Sequence, residues 1–259
     1  MISKNRIAFL RSLQQKKNRR EQGLFVAEGT KTVLELLHAA LPCRYVAATQ
    51  SWWNTNKLPP GIKAETDIAE EKDMARISSL STAPDVLAVF EIPSHTIAPA
   101  DVLNGYTLAA DGIRDPGNLG TLIRIADWFG ISRVLCSADT AEVWNPKTVQ
   151  ATMGSLARVQ TAEVDLPAFL AETTLLATNA LPVYGTFLQG QSVYSTGFAA
   201  NGIIIIGSES HGISEAVKNM VSQHITIPSF SSGQGAESLN AGVAAGIICA
   251  EMRRQTLVK

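Results

Sequence analysis

Little in this chain points to metal, disulfide or membrane chemistry. It has three cysteines, Cys43, Cys136 and Cys249, far apart and odd in number, with no Cys-x-x-Cys. The four histidines, His38, His95, His211 and His224, do not cluster. Neither a disulfide nor a metal site is expected, and the thiols read as small buried hydrophobes. No apolar run approaches the roughly 18–20 residues of a membrane span. The start, Met-Ile-Ser-Lys-Asn-Arg, turns charged again at Arg11, so no signal-peptide core is read there. No Gly-x-Gly-x-x-Gly follows the first strand of either half, which argues against a dinucleotide enzyme. Charged residues are 17% of the 259 and apolar ones 46%, a balance that supports a substantial core and argues against disorder. The expectation is a cytoplasmic protein with no membrane segment.

One absence is local. Residues 1–20 contain no acid, yet hold seven basic side chains: Lys4, Arg6, Arg11, Lys16, Lys17, Arg19 and Arg20. The remaining residues carry 15 basic against 23 acidic side chains, net −8. This reads as a basic arm on a mildly acidic body, able to attract phosphates, or else as a solvated helix kept soluble by its lysines. Ile7, Leu10 and Leu13 fall at helical spacing, so the arm is expected to be one amphipathic helix over residues 3–20.

Beyond the arm, strands are expected at Leu24–Ala27, Tyr45–Ala48, Ile62–Ala64 and Val86–Glu91. Helices are expected from Thr30 to about Ala40, stopped by Pro42, and over Asp67–Leu80. Residues 93–105, with Pro93, Pro99, Asn104 and Gly105, read as a linker. The expected domains are therefore 1–92, a small α/β domain, and 106–259, a larger one. In the second, strands are expected at Tyr106–Ala110, Arg133–Cys136, Arg158–Ala162, Leu175–Thr178, Val183–Gly185, Gly202–Ile206 and Ile225–Ile227. A last helix is expected over Ser238–Arg254. The four isoleucines Ile203–Ile206 have no polar alternation, the mark of a strand covered on both faces in a mainly parallel sheet. The last helix is rich in small residues (Ala241, Gly242, Ala244, Ala245, Gly246), which implies close approach to another backbone, in the same chain or in a partner.

Three segments mix glycine, a small hydroxyl or amide, and one charge close behind apolar runs, as a ligand site at the carboxyl ends of parallel strands does. The first is Asn118-Leu119-Gly120-Thr121-Leu122-Ile123-Arg124. Asn118 and Arg124, six residues apart, were read as sharing a helix face suited to phosphate or ribose. The bland alternatives are that Asn118 caps and Arg124 pairs with Asp127. The second is Gly207-Ser208-Glu209-Ser210-His211-Gly212, where Gly207 would let a ligand approach the backbone. The third is Ile227-Pro228 and then Ser238-Leu239-Asn240, across a loop (Ser231-Ser232-Gly233-Gln234-Gly235) expected to be mobile.

In this order the three segments resemble the motifs of the SpoU/TrmH family of RNA ribose 2′-O-methyltransferases over roughly residues 106–254, and residues 1–92 resemble that family's RNA-binding domain. The resemblance implies a C-terminal α/β/α domain with a deep trefoil knot. It implies S-adenosylmethionine as cofactor, held by Gly207, Ile227, Leu239 and Thr186. Asn118, Arg124, Glu209, Ser238 and Asn240 would form the RNA-facing catalytic side. It also implies a homodimer packed through the C-terminal helix. The separate N-terminal domain leans the substrate toward ribosomal RNA over tRNA, by analogy. Two departures are the longer, Ser/Gly-rich loop after Pro228 and the Ala241-Gly242 pair after Asn240. An arginine is an awkward base, because it stays charged. Arg124 is therefore expected to grip the target phosphate and steady the developing 2′-oxyanion, with that phosphate sharing the proton. Competing readings are a non-catalytic RNA-binding protein and a serine hydrolase with Ser210 at a nucleophile elbow, where Glu215, Glu237 and Glu251 are the only later acids and His224 follows just Glu215, an order and spacing that fit a triad poorly.

Overall fold

The computed structural model describes residues 2–94, 96–231 and 237–257. The chain divides into two compact units, Met1–Ser94 with Glu142–Ala157, and His95–Ala141 with Arg158–Lys259. The second of the expected domains, 106–259, therefore contains a segment that packs into the first unit.

The first unit is a four-stranded sheet ordered β1-β4-β2-β3, from β1 (Leu24–Glu28), β2 (Cys43–Ala48), β3 (Glu65–Ile68) and β4 (Val86–Glu91). Strand β4 is antiparallel to both its neighbours, and β2 and β3 run parallel. Its first five helices are α1 (Lys4–Ser12), α2 (Lys16–Gln22), α3 (Thr30–His38), α4 (Gln50–Thr55) and α5 (Glu71–Ile77). The apolar stripe Ile7, Leu10 and Leu13 is buried against Val26, Tyr45, Leu87 and Val89 from the sheet and Met74 and Ile77 from α5.

The basic segment is two helices rather than one. The Arg19 guanidinium of α2 donates to the Leu13 carbonyl at 2.8 Å, and the Asn18 amide donates to the Ser12 carbonyl at 2.9 Å. Side chains from the second helix thus satisfy carbonyls that the end of the first leaves open. Strand β3 begins at Glu65, after the expected 62–64, because its pairing partner is Tyr45–Ala48 through residues 65–68. That pairing also removes Asp67 and Ile68 from the expected helix, which starts at Glu71.

The second unit carries a six-stranded sheet ordered β10-β8-β9-β5-β6-β7, with every adjacent pair parallel. Along the chain come β5 (Tyr106–Asp111), α6 (Pro116–Trp128) and β6 (Arg133–Cys136). The helix α7 (Pro146–Thr152) follows and belongs to the first unit. Then come β7 (Gln160–Glu163), α8 (Leu166–Leu176), β8 (Val183–Ser192), β9 (Gly202–Gly207), α9 (Glu215–Lys218), β10 (Gln223–Thr226) and α10 (Ala241–Leu257). The isoleucines of β9 are all buried, as a strand covered on both faces requires. The expected strand Leu175–Thr178 is instead the end of α8, a helix capped by Asp165 accepting from the Ala168 N–H at 3.1 Å. Short apolar runs of this kind do not separate strand from helix end.

The small residues of α10 meet α6 of the same chain. A Cβ on Gly242 would lie 2.7 Å from Thr121 Cγ2, and one on Gly246 would lie 3.8 Å from Ile125 Cδ1. Because β9 and β5 lie side by side while β6 and β7 lie beyond, the loops after β5, β9, β8 and β10 gather at one carboxyl edge of the sheet. This is the usual place for a ligand on such a sheet.

Candidate active site at the carboxyl edge of the parallel sheet

The first motif opens α6. Asp115 caps it by accepting from the Asn118 N–H at 2.8 Å, and Pro116 takes the first helical position, where a missing N–H costs nothing. With its backbone used by the cap, the Asn118 side chain turns outward. Its amide NH₂ donates to Glu209 Oε1, and its carbonyl oxygen accepts from the Asn240 amide at 2.8 Å. Asn240 in turn caps α10, its carbonyl oxygen accepting from the Gly242 and Val243 N–H groups at 3.0 and 3.3 Å. Glu209 Oε1 also accepts from the Ala241 N–H at 3.3 Å. One residue from each motif therefore enters a single hydrogen-bonded chain, Asn240 to Asn118 to Glu209. Asn240 both caps a helix and reaches across to another loop, whereas Asn118, whose N–H is taken by the Asp115 cap, reaches across with its side chain alone.

The second motif is a closed hairpin. Ser208 and Gly212 exchange backbone hydrogen bonds at 3.0 and 2.9 Å, and the His211 N–H donates to Ser208 Oγ at 3.1 Å. Gly207 was expected to make room for a ligand. Its own loop occupies that room: a Cβ there would collide with the backbone of Gly212 and Ile213. The glycine is needed first to let the hairpin fold back on β9.

Behind this hairpin lies a cleft of about 1150 Å³. Thr186, Gly207, Ile227 and Leu239, the four expected cofactor contacts, all line it, together with Glu209 and Ser238. Leu188 and Phe230 add exposed apolar surface to its wall. The Phe187 and His224 rings pack with centroids 4.3 Å apart in the same lining. These aromatic and apolar members were missed in the sequence because β8, β10 and the segment after Pro228 mix polar and apolar residues and lack a motif of their own. Residues 232–236 of the Ser/Gly-rich loop, expected to be mobile, lie outside the described residues.

Arg124 stands apart. Six helical residues advance about 600°, which leaves Arg124 about 120° around α6 from Asn118 rather than on its face. It is exposed and has no hydrogen-bond or ion-pair partner among the described residues. Asp127, the acid proposed as its bland partner, is engaged by Arg158 at 2.8–3.0 Å. The serine-hydrolase geometry is also lacking. Ser210 Oγ lies 2.7 Å from Nδ1 of the adjacent His211, whereas His224 packs on the Phe187 ring and hydrogen-bonds neither Ser210 nor Glu215 among the described residues.

Comparison with known proteins agrees with this geometry. Residues 105–250 match the SpoU rRNA Methylase family and residues 4–88 the MRM3-like substrate binding domain. Over 248 residues the chain is 30% identical to the 23S rRNA (guanosine(2553)-2′-O)-methyltransferase RlmP of Bacillus subtilis, covering 94% of each. A solved TrmH-family structure from Porphyromonas gingivalis superposes with a TM-score of 0.86 at 39% identity, over 98% of this chain and 99% of that one. The SpoU methyltransferase AviRb of Streptomyces viridochromogenes, solved with the cofactor AdoMet, shares the fold, with a TM-score of 0.83 at 23% identity over 98% and 99% of the two chains.

Proposed function

The chain belongs to the SpoU rRNA Methylase family, and from that premise we propose that its second unit transfers a methyl group from S-adenosylmethionine to a ribose 2′-hydroxyl of structured RNA, with ribosomal RNA favoured over tRNA. The observation that carries this reading is the hydrogen-bonded chain Asn240–Asn118–Glu209, which ties the three motifs together at the rim of the cleft. A non-catalytic RNA-binding protein would have no need of this arrangement.

The cleft suits the cofactor. Its volume is ample for a drug-sized ligand, whose pockets run to about 300–1,000 Å³. Leu239, Ile227 and Phe230 offer apolar surface for a base, and Thr186 and the backbone after Gly207 offer polar groups. Bound there, S-adenosylmethionine supplies a methyl group already activated by its sulfonium. The protein's part is alignment, which can be worth several kcal/mol. Asn118, Glu209 and Asn240 fix the two helix starts and the hairpin that frame the RNA side, where Ser238 also lies. Arg124, exposed and unpartnered, is free to grip the phosphate beside the target ribose in its planar fork and to steady negative charge on the 2′-oxygen.

We assign RNA holding to the first unit, and a deep trefoil knot to the second. The knot rests on membership of the SpoU rRNA Methylase family. Homodimerisation through α10 rests on the outer side of the helix pair. Trp128 on α6 and Val243 on α10 are exposed, whereas the small-residue face of α10 is already covered by α6. We also assign the protein to the cytoplasm, on its ribosomal RNA substrate class alone. No helix among the described residues is long and apolar enough to cross a membrane.

Calorimetric titration of S-adenosylmethionine into the purified protein tests the reading. It should saturate near one site per chain, with binding weakened in Asn240→Ala and Gly207→Trp. No saturable binding, with or without RNA present, would remove the cofactor from the account.

A further inference from the structure

The transfer leaves one chemical requirement without an owner in this chain. The ribose 2′-oxygen must lose its proton as it takes the methyl group. Arg124 cannot accept it at ordinary pH. Glu209 Oε1 is already engaged, accepting hydrogen bonds from the Asn118 amide and the Ala241 N–H. The other titratable groups lining the cleft are His211 on the hairpin, Glu215 and Lys218 on α9, His224 on β10, and Glu237 before α10. Lys218 and Glu215 are paired at 3.2 Å, and His224 is packed on Phe187. Glu237 is a carboxylate, intrinsically a weaker base than an imidazole.

His211 differs from all of these. It sits two residues from Glu209 on the same closed hairpin, so it is carried by the element that joins the cleft to the Asn240–Asn118–Glu209 chain. The hairpin is held by the Ser208–Gly212 exchange and by Gly207, which places the histidine without any closing motion. Its Nδ1 is 2.7 Å from Ser210 Oγ, while Nε2 has no partner among the described residues. A ring oriented through one nitrogen with the other left open is how a general base is presented.

Resting on the methyltransferase reading above, we propose that His211 is the catalytic base, accepting the ribose 2′-hydroxyl proton on Nε2 while Nδ1–H donates to Ser210 Oγ. In the step, a lone pair of the 2′-oxygen forms the new O–CH₃ bond, and the S–CH₃ bond breaks with its electron pair passing to sulfur. The O–H bond breaks with its proton going to Nε2, and the resulting imidazolium later returns that proton to water. The base is therefore the histidine, and the target phosphate is left to Arg124 alone.

The test is single-turnover methyl transfer to ribosomal RNA across pH 5.5–9, with the wild-type chain, His211→Asn and Ser210→Ala. The wild-type rate should fall on the acid side, as the base becomes protonated. His211→Asn should transfer about 10²-fold more slowly at neutral pH and lose that acid limb. Ser210→Ala should keep the limb but move its midpoint. S-adenosylmethionine titrated into His211→Asn should bind as it does to the wild type, which would show that the cleft is intact. An unaltered pH profile in His211→Asn would overturn the proposal and return the proton to the phosphate. A loss of cofactor binding in that variant would overturn it too, making His211 a binding residue. Transfer absent in the wild type itself, under conditions where cofactor and RNA both bind, would instead strike down the function reading and this proposal with it.

Discussion

The first twenty residues and the carboxyl edge of the parallel sheet are both conspicuous in the sequence, and folding treats one arginine from each in opposite ways. In the N-terminal segment Arg19 turns inward, while Lys4, Arg11, Lys16, Lys17 and Arg20 stay exposed. Arg19 is 1% exposed, donates to the Leu13 carbonyl, and is paired with Glu142 in the segment that returns to the first unit. Arg6 is paired with Glu65 and lies over the Tyr45 ring at 4.6 Å, and Lys17 lies 3.8 Å from Glu21. At the carboxyl edge the neutral amides interlock and the arginine stays out, with Arg124 exposed and unpartnered. A basic run is thus no measure of how many cations are offered to phosphate. The informative residue is the cation that the fold leaves without a partner.

Substitutions can break this contrast, and the largest effect should come from Gly207. Gly207→Ala places a methyl group in the backbone of Gly212 and Ile213. It should open the hairpin and abolish both cofactor binding and methyl transfer. Unchanged affinity by calorimetry would show that the hairpin has more room than described.

Next comes Arg19→Ala, which leaves the side chain of Glu142, only 9% exposed, without its cation. Breaking one side of a buried pair typically costs about 3–5 kcal/mol. Denaturant unfolding should report that loss in the first unit, and Arg19→Met with Glu142→Leu should recover much of it. A loss below about 1 kcal/mol would mean the pair is solvated and the contrast with Arg124 fails.

Arg124→Lys keeps the charge and removes the fork. It should leave the melting temperature unchanged and lower single-turnover transfer by about 10²-fold. Near-normal turnover would remove Arg124 from the reaction.

A smaller effect is expected from a double-mutant cycle on Asn118→Ala and Asn240→Ala, read in cofactor affinity. Residues in one hydrogen-bond network couple by about 0.5–3 kcal/mol, whereas additive effects would mean that the two amides act independently. The smallest effect belongs to Lys16→Ala, exposed on α2. Its stability change should stay within about 0.5 kcal/mol, and a larger one would mean that Arg19 is not the special cation of this segment.

The centre of the parallel sheet was legible because β5 and β9 are largely apolar runs, the four isoleucines of β9 above all, and the three motifs stood out by their spacing close behind such runs. The more polar β7, β8 and β10 were harder to bound. The first unit was harder to read. At the break between α1 and α2, Arg19 and Asn18 turn back to the Leu13 and Ser12 carbonyls while Arg19 also meets Glu142, 123 residues away, and no local periodicity carries that pairing. The same long-range pairing explains why residues 142–157 leave the domain in which the sequence places them. The face shared by Asn118 and Arg124 fails on helix arithmetic alone, since a spacing of seven would align them and six does not. Gly207 was legible as necessary, but its neighbour in space, Gly212, could be found only once the hairpin closed. The Asp115-Pro116 start of α6 was the one available signal for the cap that frees the Asn118 side chain, and it went unused.

The most direct test is to incubate the protein with methyl-labelled S-adenosylmethionine and ribosomal RNA, digest the product to nucleosides, and identify the labelled one. The account expects label in a single 2′-O-methylnucleoside, lost in Arg124→Ala and Asn118→Ala. Label on a base, or none in any RNA fraction from a protein that binds the cofactor, would contradict it.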